Sequence, residues 1–241
     1  MRLVTLNLRH GGGRRTPALL AHLLRHEADV LVLCEHRHPA AGSATAGLRE
    51  GLAAAGYAHQ VASHDAPRIN HLLVASRLPV VPAPRGVAAA LRVDPVRLLP
   101  VQVDGLLVVG VHLPNLKAKL PHWRALLRLA ARPAAEQAIF MGDFNSGHHV
   151  RDVQRPPFPF SASYEEYLGA LEAQGWVDAW RSLHPRRREY TWFSHRQRGF
   201  RLDHAFLSPA LAPALRGAAF DHAVRTSGAS DHSALRVELA R

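Results

Sequence analysis

The chain has 241 residues, 47% of them hydrophobic, one cysteine, and a formal net charge of +11. That length suits one α/β domain, expected to run over residues 1–241, with apolar content enough for a sizeable core. The lone Cys34 excludes an internal disulfide and a multi-cysteine zinc site. No apolar run is long enough to span a bilayer, and Leu3-Val4-Thr5-Leu6 reads as a strand rather than a signal peptide, so a cytoplasmic, monomeric protein is expected.

The positive charge suits a polyanionic partner. Only Lys117 and Lys119 among the thirty basic residues are lysine, a pattern that also fits codon preference, so the charge alone does not identify nucleic acid. The basic stretches Arg14-Arg15, Arg37, Lys117, Lys119 and Arg186-Arg187-Arg188 are expected in loops or on a surface helix.

Residues 2–7 read as a first strand ending in Asn7. A Gly11-Gly12-Gly13 loop follows, and then Thr16-Pro17 as N-cap and first turn of a helix to about Glu27. Asp29 to Glu35 is an almost wholly apolar strand with a carboxylate at its end, which a rim position or a cation must accommodate. A helix is expected over 44–55, with strands at 57–61, 71–76, 80–81, 97–103 and 106–112, the last ending in His112. Residues 117–131 form a basic helix carrying Trp123. The run Ile139-Phe140-Met141-Gly142 then reads as a buried strand, and Asp143 and Asn145, two residues apart, project to the same side of its end. A loop at 155–160, a helix over 162–174, and strands at 190–194, 200–207, 218–224 and 234–239 complete the reading. Mixed strands and helices in this order predict two mixed sheets packed face to face with helices outside.

Polar residues gather at strand ends: Asn7, Glu35, His112 with Asn115, Asp143 with Asn145, Asp203-His204, and Asp231-His232. Together they supply what metal-assisted phosphodiester hydrolysis requires. Hard oxygen ligands suit Mg²⁺ or Mn²⁺, an imidazole serves as base or phosphate donor, and carboxamides hold a phosphoryl oxygen or water. His22 and His26 lie one helical turn apart, and His36 with His38 and His148 with His149 form further pairs. Among seventeen histidines such pairs arise by chance, so no zinc site is assigned. His148 and His149, which follow the Asp143 loop, are expected to contact substrate.

The motifs Thr5-Leu6-Asn7, Val32-Leu33-Cys34-Glu35, His112-Leu113-Pro114-Asn115, Gly142-Asp143-Phe144-Asn145, Arg201-Leu202-Asp203-His204 and Ser230-Asp231-His232, in that order, resemble the endonuclease/exonuclease/phosphatase superfamily over essentially the whole chain. The C-terminal third is most similar to the exonuclease III branch, through Gly175-Trp176-Val177-Asp178-Ala179-Trp180-Arg181, Tyr190-Thr191-Trp192-Phe193-Ser194 and Gly199-Phe200-Arg201-Leu202-Asp203. The resemblance implies a deoxyribonuclease I-like four-layered α/β sandwich and a Mg²⁺-dependent DNA nuclease, acting as a 3′ exonuclease or abasic-site endonuclease in DNA repair. It makes Glu35 the chief metal ligand, with Asn7 and Asp231 in support. His232 pairs with Asp203 and serves as base or phosphate-stabilising cation, Asp143 with Asn145 activates water, and Asn115 and His112 contact phosphate. Trp192 lines the sugar pocket, and Arg37 and Lys117 are expected to bind substrate.

Three positions depart from the branch: His112 stands where it has tyrosine, Arg9 replaces a polar or acidic residue near the metal, and the Gly11–Gly13 loop is unusual. The alternatives are the same chemistry on a lipid headgroup or small phosphoester, and an inactive nucleic-acid-binding domain.

Overall fold

The computed structural model describes residues 1–38, 47–67, 69–155 and 162–241. Its strands in the N-terminal half are β1 (Arg2–Asn7), β2 (Val30–His36), β3 (His59–Ala62), β4 (His71–Ser76), β5 (Val80–Pro82), β6 (Leu98–Val103) and β7 (Leu106–His112). The C-terminal half adds β8 (Ala138–Asp143), β9 (Val177–Asp178), β10 (Trp192–Phe193), β11 (Gly199–Phe200), β12 (Asp203–Leu207), β13 (Leu215–Asp221) and β14 (Ala234–Leu239). The helices are α1 (Thr16–Leu24), α2 (Leu48–Ala54), α3 (Arg85–Ala90), α4 (Leu120–Ala130), α5 (Ala162–Ala173), α6 (Ala179–Leu183) and α7 (Ala223–Thr226).

The strands form two six-stranded sheets, in the orders β13-β14-β1-β2-β4-β3 and β5-β6-β7-β8-β12-β9, with β10-β11 as a separate ribbon. Both sheets are mixed: β1 and β2 run parallel, as do β7 and β8, while their other neighbours are antiparallel. The central strands are apolar on both faces because both faces are covered. Alternate residues such as Leu3, Val30 and Val32 of the first sheet meet Val108, Ile139, Met141 and Ala205 of the second in one inter-sheet core. The intervening residues Val4, Leu6, Leu31 and Leu33 pack outward with Leu19 and Leu23 of α1 and Leu48 and Leu52 of α2. On the far side, Val109, Phe140 and Phe206 pack with Trp123, Leu126 and Leu129 of α4 and Leu168 and Leu171 of α5. The result is the expected four-layered sandwich.

Several local expectations shift. Thr16 is the first residue of α1 rather than its cap, and its hydroxyl donates to Gly13 O at 2.7 Å. The expected helix over 117–131 opens as a 3-10 turn, Leu116–Lys119, before α4. The expected strand 200–207 is broken into β11 and β12, because Arg201 turns inward and is completely buried. Helices α3, α6 and α7 and the short β9 carry too few apolar repeats to be seen in the sequence pattern. The start of the expected helix at 44–46 and loop residues 156–160 lie outside the described residues.

Candidate active site

Side-chain alternation brings three site residues together. Ile139, Met141 and Asp143 share the inner face of β8, as Val108 and His112 do on β7, and Asp203 and Ala205 on β12. Register then sets His112 opposite Asp143, and Asp143 opposite Asp203. The three stand abreast at the ends of neighbouring strands. Gly142, which precedes Asp143, has φ 147°, and a Cβ there would meet Val111 O at 1.9 Å, so only glycine fits this close approach.

The first sheet contributes from across the gap. Asn7 ends the inner face of β1, and its Nδ2 donates to Asp143 Oδ2 at 3.1 Å and lies 3.4 Å from Glu35 Oε1, tying the two sheets. Strict alternation would send Glu35 outward with Leu31 and Leu33. Instead the β2–β4 register shifts between Leu33 and His36, and Glu35 has a positive φ of 56°. This irregularity turns the carboxylate into the site, a common use of a β-bulge. His10 N donates to Glu35 Oε2 at 2.8 Å. Burial raises the Glu35 pKa, but the facing His112 and His10 outweigh it, and the net effect is a pKa below the usual value.

Asp231 and His232 arrive on the segment before β14. That segment is pinned by Ser230, whose Oγ donates to Asn7 O at 2.6 Å and accepts from His232 N at 3.1 Å. His232 Nδ1 lies 2.8 Å from Asp203 Oδ2, and Nε2 lies 4.0 Å from Asp143 Oδ2. Burial disfavours charge on the ring, yet Asp203 and Asp143 prevail and push its pKa up to about 10. His232 is therefore a cation at neutral pH. Asp143 is fully buried, and burial with repulsion from Asp203 raises its carboxyl to about 7, against the pull of His232. Its Oδ1 accepts from Asn145 N at 2.8 Å, and Asn145 Nδ2 donates to Leu113 O at 2.8 Å. His112 is neutral, its pKa lowered to about 4 mainly by burial. Arg97 Nη1 sits 3.2 Å from its Nδ1, which fixes the acceptor there and leaves Nε2–H facing Glu35 at 3.7 Å.

Of the residues singled out in the sequence, Asn7, Glu35, His112, Asn115, Asp143, Asn145, Trp192, Asp231 and His232 line one cavity of about 810 Å³. Asp203 stands behind His232. Arg37 and Lys117 are not part of the cavity wall: Arg37 bonds Asn70 and His10, and Lys117 is exposed. His148 and His149 are also outside it, because Glu165 and Glu172 of α5 hold them. Lys119, expected on the surface, is buried in the wall of the same cavity, where it donates to Asn145 O and Ser146 Oγ of the Asp143 loop. Burial lowers its pKa to about 8.

Residues to which the sequence assigned no role serve as supports. Arg201 joins Asp152 (Nε–Oδ1 2.8 Å) and Asp178 (Nη1–Oδ2 2.7 Å) in the interior. Asp178 also meets His204 Nδ1 at 3.1 Å, and His204 Nε2 reaches Ser146 O at 2.9 Å. This network braces the Asp143 loop from the side opposite the cavity. Arg201 and His204 belong to a motif already noted, but their role as braces needed the contacts. Arg97 and His195, which also line the cavity, lie in segments with no motif.

A cation fits the oxygen donors here: Glu35, held ionised at the rim, lines the same cavity as Asn7 and Asp231, a hard-oxygen set that suits a divalent ion. Asp143, Asp203 and His232 present ligand atoms within 4.8 Å of one another. The charge on His232 makes that trio an ion-paired relay, which leaves Glu35, Asn7 and Asp231 as the residues that could hold a cation.

Residues 4–232 match the model of the Endonuclease/Exonuclease/phosphatase family. The chain superposes with a TM-score of 0.81 at 23% identity, over 100% of both chains, on a 3′ phosphatase, NExo, from Neisseria bound to product DNA hairpin. An AP endonuclease from Archaeoglobus fulgidus matches with a TM-score of 0.81 at 20% identity, over 100% of both chains. A 3′-5′ exonuclease (NExo) from Neisseria meningitidis matches with a TM-score of 0.80 at 25% identity, over 99% of both. The deoxyribonuclease I-like sandwich and the resemblance to the nuclease branch are thus borne out. The chain belongs to the endonuclease/exonuclease/phosphatase family.

Proposed function

We propose that this chain is a phosphodiester hydrolase, a single-domain, monomeric, cytoplasmic DNA nuclease that depends on Mg²⁺ or Mn²⁺ and acts at 3′ ends or abasic sites in DNA repair. The observation that carries the reading is the rank of His112, Asp143 and Asp203 across three adjacent strand ends, with His232 held cationic between the two carboxylates. Similarity to proteins that bind a DNA hairpin or act as an AP endonuclease supports DNA as the substrate. Among the described residues no helix is long and apolar enough to cross a membrane.

The cation, held by Glu35 with Asn7 and Asp231, would neutralise phosphate charge and polarise the scissile ester. The chain's own groups divide the remaining work. Asp143, whose carboxyl titrates near 7, accepts the proton of an attacking water oriented by Asn145. His232 stays charged and donates from Nε2 to a phosphate oxygen as negative charge grows. Neutral His112 donates from its own Nε2, and exposed Asn115 supplies a further amide. Trp192, packed 5.8 Å from Phe200 in centroid distance, forms an apolar wall beside the cavity and fits the edge of a displaced sugar.

The test is cleavage of duplex, abasic, single-stranded and 3′-phosphate DNA, RNA and a small chromogenic diester, with chelator and with added Mg²⁺, Mn²⁺ or Zn²⁺. Chelator should abolish DNA cleavage and Mg²⁺ or Mn²⁺ restore it. Full activity in chelator, or a strict need for Zn²⁺, sinks the metal assignment. A small diester hydrolysed as efficiently as DNA moves the substrate to a lipid headgroup or small phosphoester.

A further inference from the structure

A second group of chemically suited side chains lies on the first sheet, outside the catalytic cavity. His36 and His71 are register partners on β2 and β4, and His38 follows two residues after His36. The ring centroids are 5.3 Å apart for His36–His38, 4.9 Å for His36–His71 and 4.8 Å for His38–His71. His36 and His71 are 1% and 0% exposed. Neither ring nitrogen of His36 has a hydrogen-bond partner among the described residues, nor does His71 Nε2, although all three atoms are buried. Orphaned polar atoms inside a protein are costly and call for an explanation. One such nitrogen from His36 and one from His71, converging with a nitrogen of His38, are hard to reconcile with simple packing.

The hydrogen bonds that do exist select the tautomers. His71 Nδ1–H donates to Ile69 O at 2.8 Å, which leaves Nε2 as a bare electron pair. His38 Nε2–H donates to His64 O at 3.1 Å, which leaves Nδ1. An imidazole whose far nitrogen is anchored on a carbonyl is the usual outer support of a metal ligand. One nitrogen from each of the three rings lies within 4.8 Å of the others. Around a tetrahedral ion with Zn–N of about 2.0–2.1 Å, ligands sit roughly 3.3 Å apart, so ring rotations of about an ångström close the site. Asp65 and Glu50 line the adjoining cavity of about 450 Å³ with His36 and His38, as does Arg49. The cavity thus offers an approach path and a carboxylate or water as fourth ligand.

We propose that His36, His38 and His71 form a binding site for a borderline transition-metal ion, Zn²⁺ by its preference for imidazole and four-coordination, separate from the catalytic cation site. Its place in the fold gives it a purpose. It fastens the end of β2 to the start of β4 across the irregularity that turns Glu35 into the active site. The ion staples the backbone that presents a catalytic carboxylate and takes no part in the chemistry.

The experiment is a titration of chelator-treated protein with Co²⁺, read by the intense visible absorption of a four-coordinate cobalt ion, on wild type, His38→Ala, His71→Ala and the active-site double variant Glu35→Gln/Asp231→Asn. One equivalent should develop that spectrum in wild type and in the active-site variant alike. Either histidine substitution should weaken binding by more than about 100-fold, beyond the loss typical of an outer-shell change. Zn²⁺ should displace the colour and raise the melting temperature of wild type but not of His38→Ala, a half-buried position where truncation leaves the core intact. Cobalt colour that is absent from wild type, or that survives both histidine changes and vanishes from the active-site variant, overturns the site. Failure of the DNA nuclease reading would leave these outcomes unchanged.

Discussion

Asp143 and His232 make opposite demands in one buried space, and their charges should set the pH profile. Asp143 must be ionised to accept a proton, so in the metal-free environment its acid limb is centred near pH 7, and a bound cation moves that limb lower. Turnover should therefore rise with pH through the limb and then hold, because His232 keeps its proton until about pH 10. Asp143→Asn should remove the limb and, like His232→Ala, lower kcat by at least about 10²-fold, with the circular dichroism of wild type. A His232→Ala protein turning over at the normal rate would show that the site lies elsewhere. Both residues were legible in the sequence, since Asp143 ends a strand-like run and His232 precedes one, each in a motif of recognisable order. The shifts themselves were not, because burial and the 2.8 Å approach of Asp203 belong to the assembled fold.

At the scale of elements, the turn that precedes α4 separates two lysines that look equivalent in sequence. Lys117 is exposed, whereas Lys119 is buried and donates to the Asn145 carbonyl. Lys119→Met should lower kcat while leaving DNA affinity almost unchanged, and Lys117→Ala should do the reverse. Binding isotherms beside single-turnover rates separate the two, and matching effects would count against the burial-based division. The break between β11 and β12 supports a second prediction. Arg201 stands between Asp152 and Asp178 at 0% exposure. Burial would raise both carboxyls, but the Arg201 guanidinium dominates and holds them well below the ordinary range. Removing one partner of such a buried set costs about 3–5 kcal/mol, so Arg201→Met should show that loss in denaturant unfolding at pH 7. Because the folded-state pKa values are depressed, the stabilisation is present above about pH 4 and fades as pH falls below it. Wild-type stability should drop steeply there and that of Arg201→Met much less. Equal acid sensitivity of the two would remove the network from the account.

At the scale of the whole molecule, the +11 charge becomes a statement about salt. Each phosphate neutralised on duplex DNA contributes a slope of about −0.9 to log affinity against log salt. Affinity for duplex should therefore fall steeply between low and physiological salt, and replacing the exposed Arg186, Arg187 and Arg188 with Ala should flatten the slope while sparing hydrolysis of a small diester. A salt-independent affinity would mean that the arginines are generic surface charge. The sequence by itself determined the layered α/β class and the identity of the chemical groups, because apolar runs covered on both faces and polar residues at their ends are local features of the chain. It could not determine which strand ends meet. Register aligned His112, Asp143 and Asp203, a bulge redirected Glu35, and sheet packing let Asn7 bridge the gap. It also hid the facing of His36 and His71, which are 35 residues apart in sequence but paired across β2 and β4. These are consequences of long-range hydrogen bonding and close packing, which act between segments that carry no mark of one another.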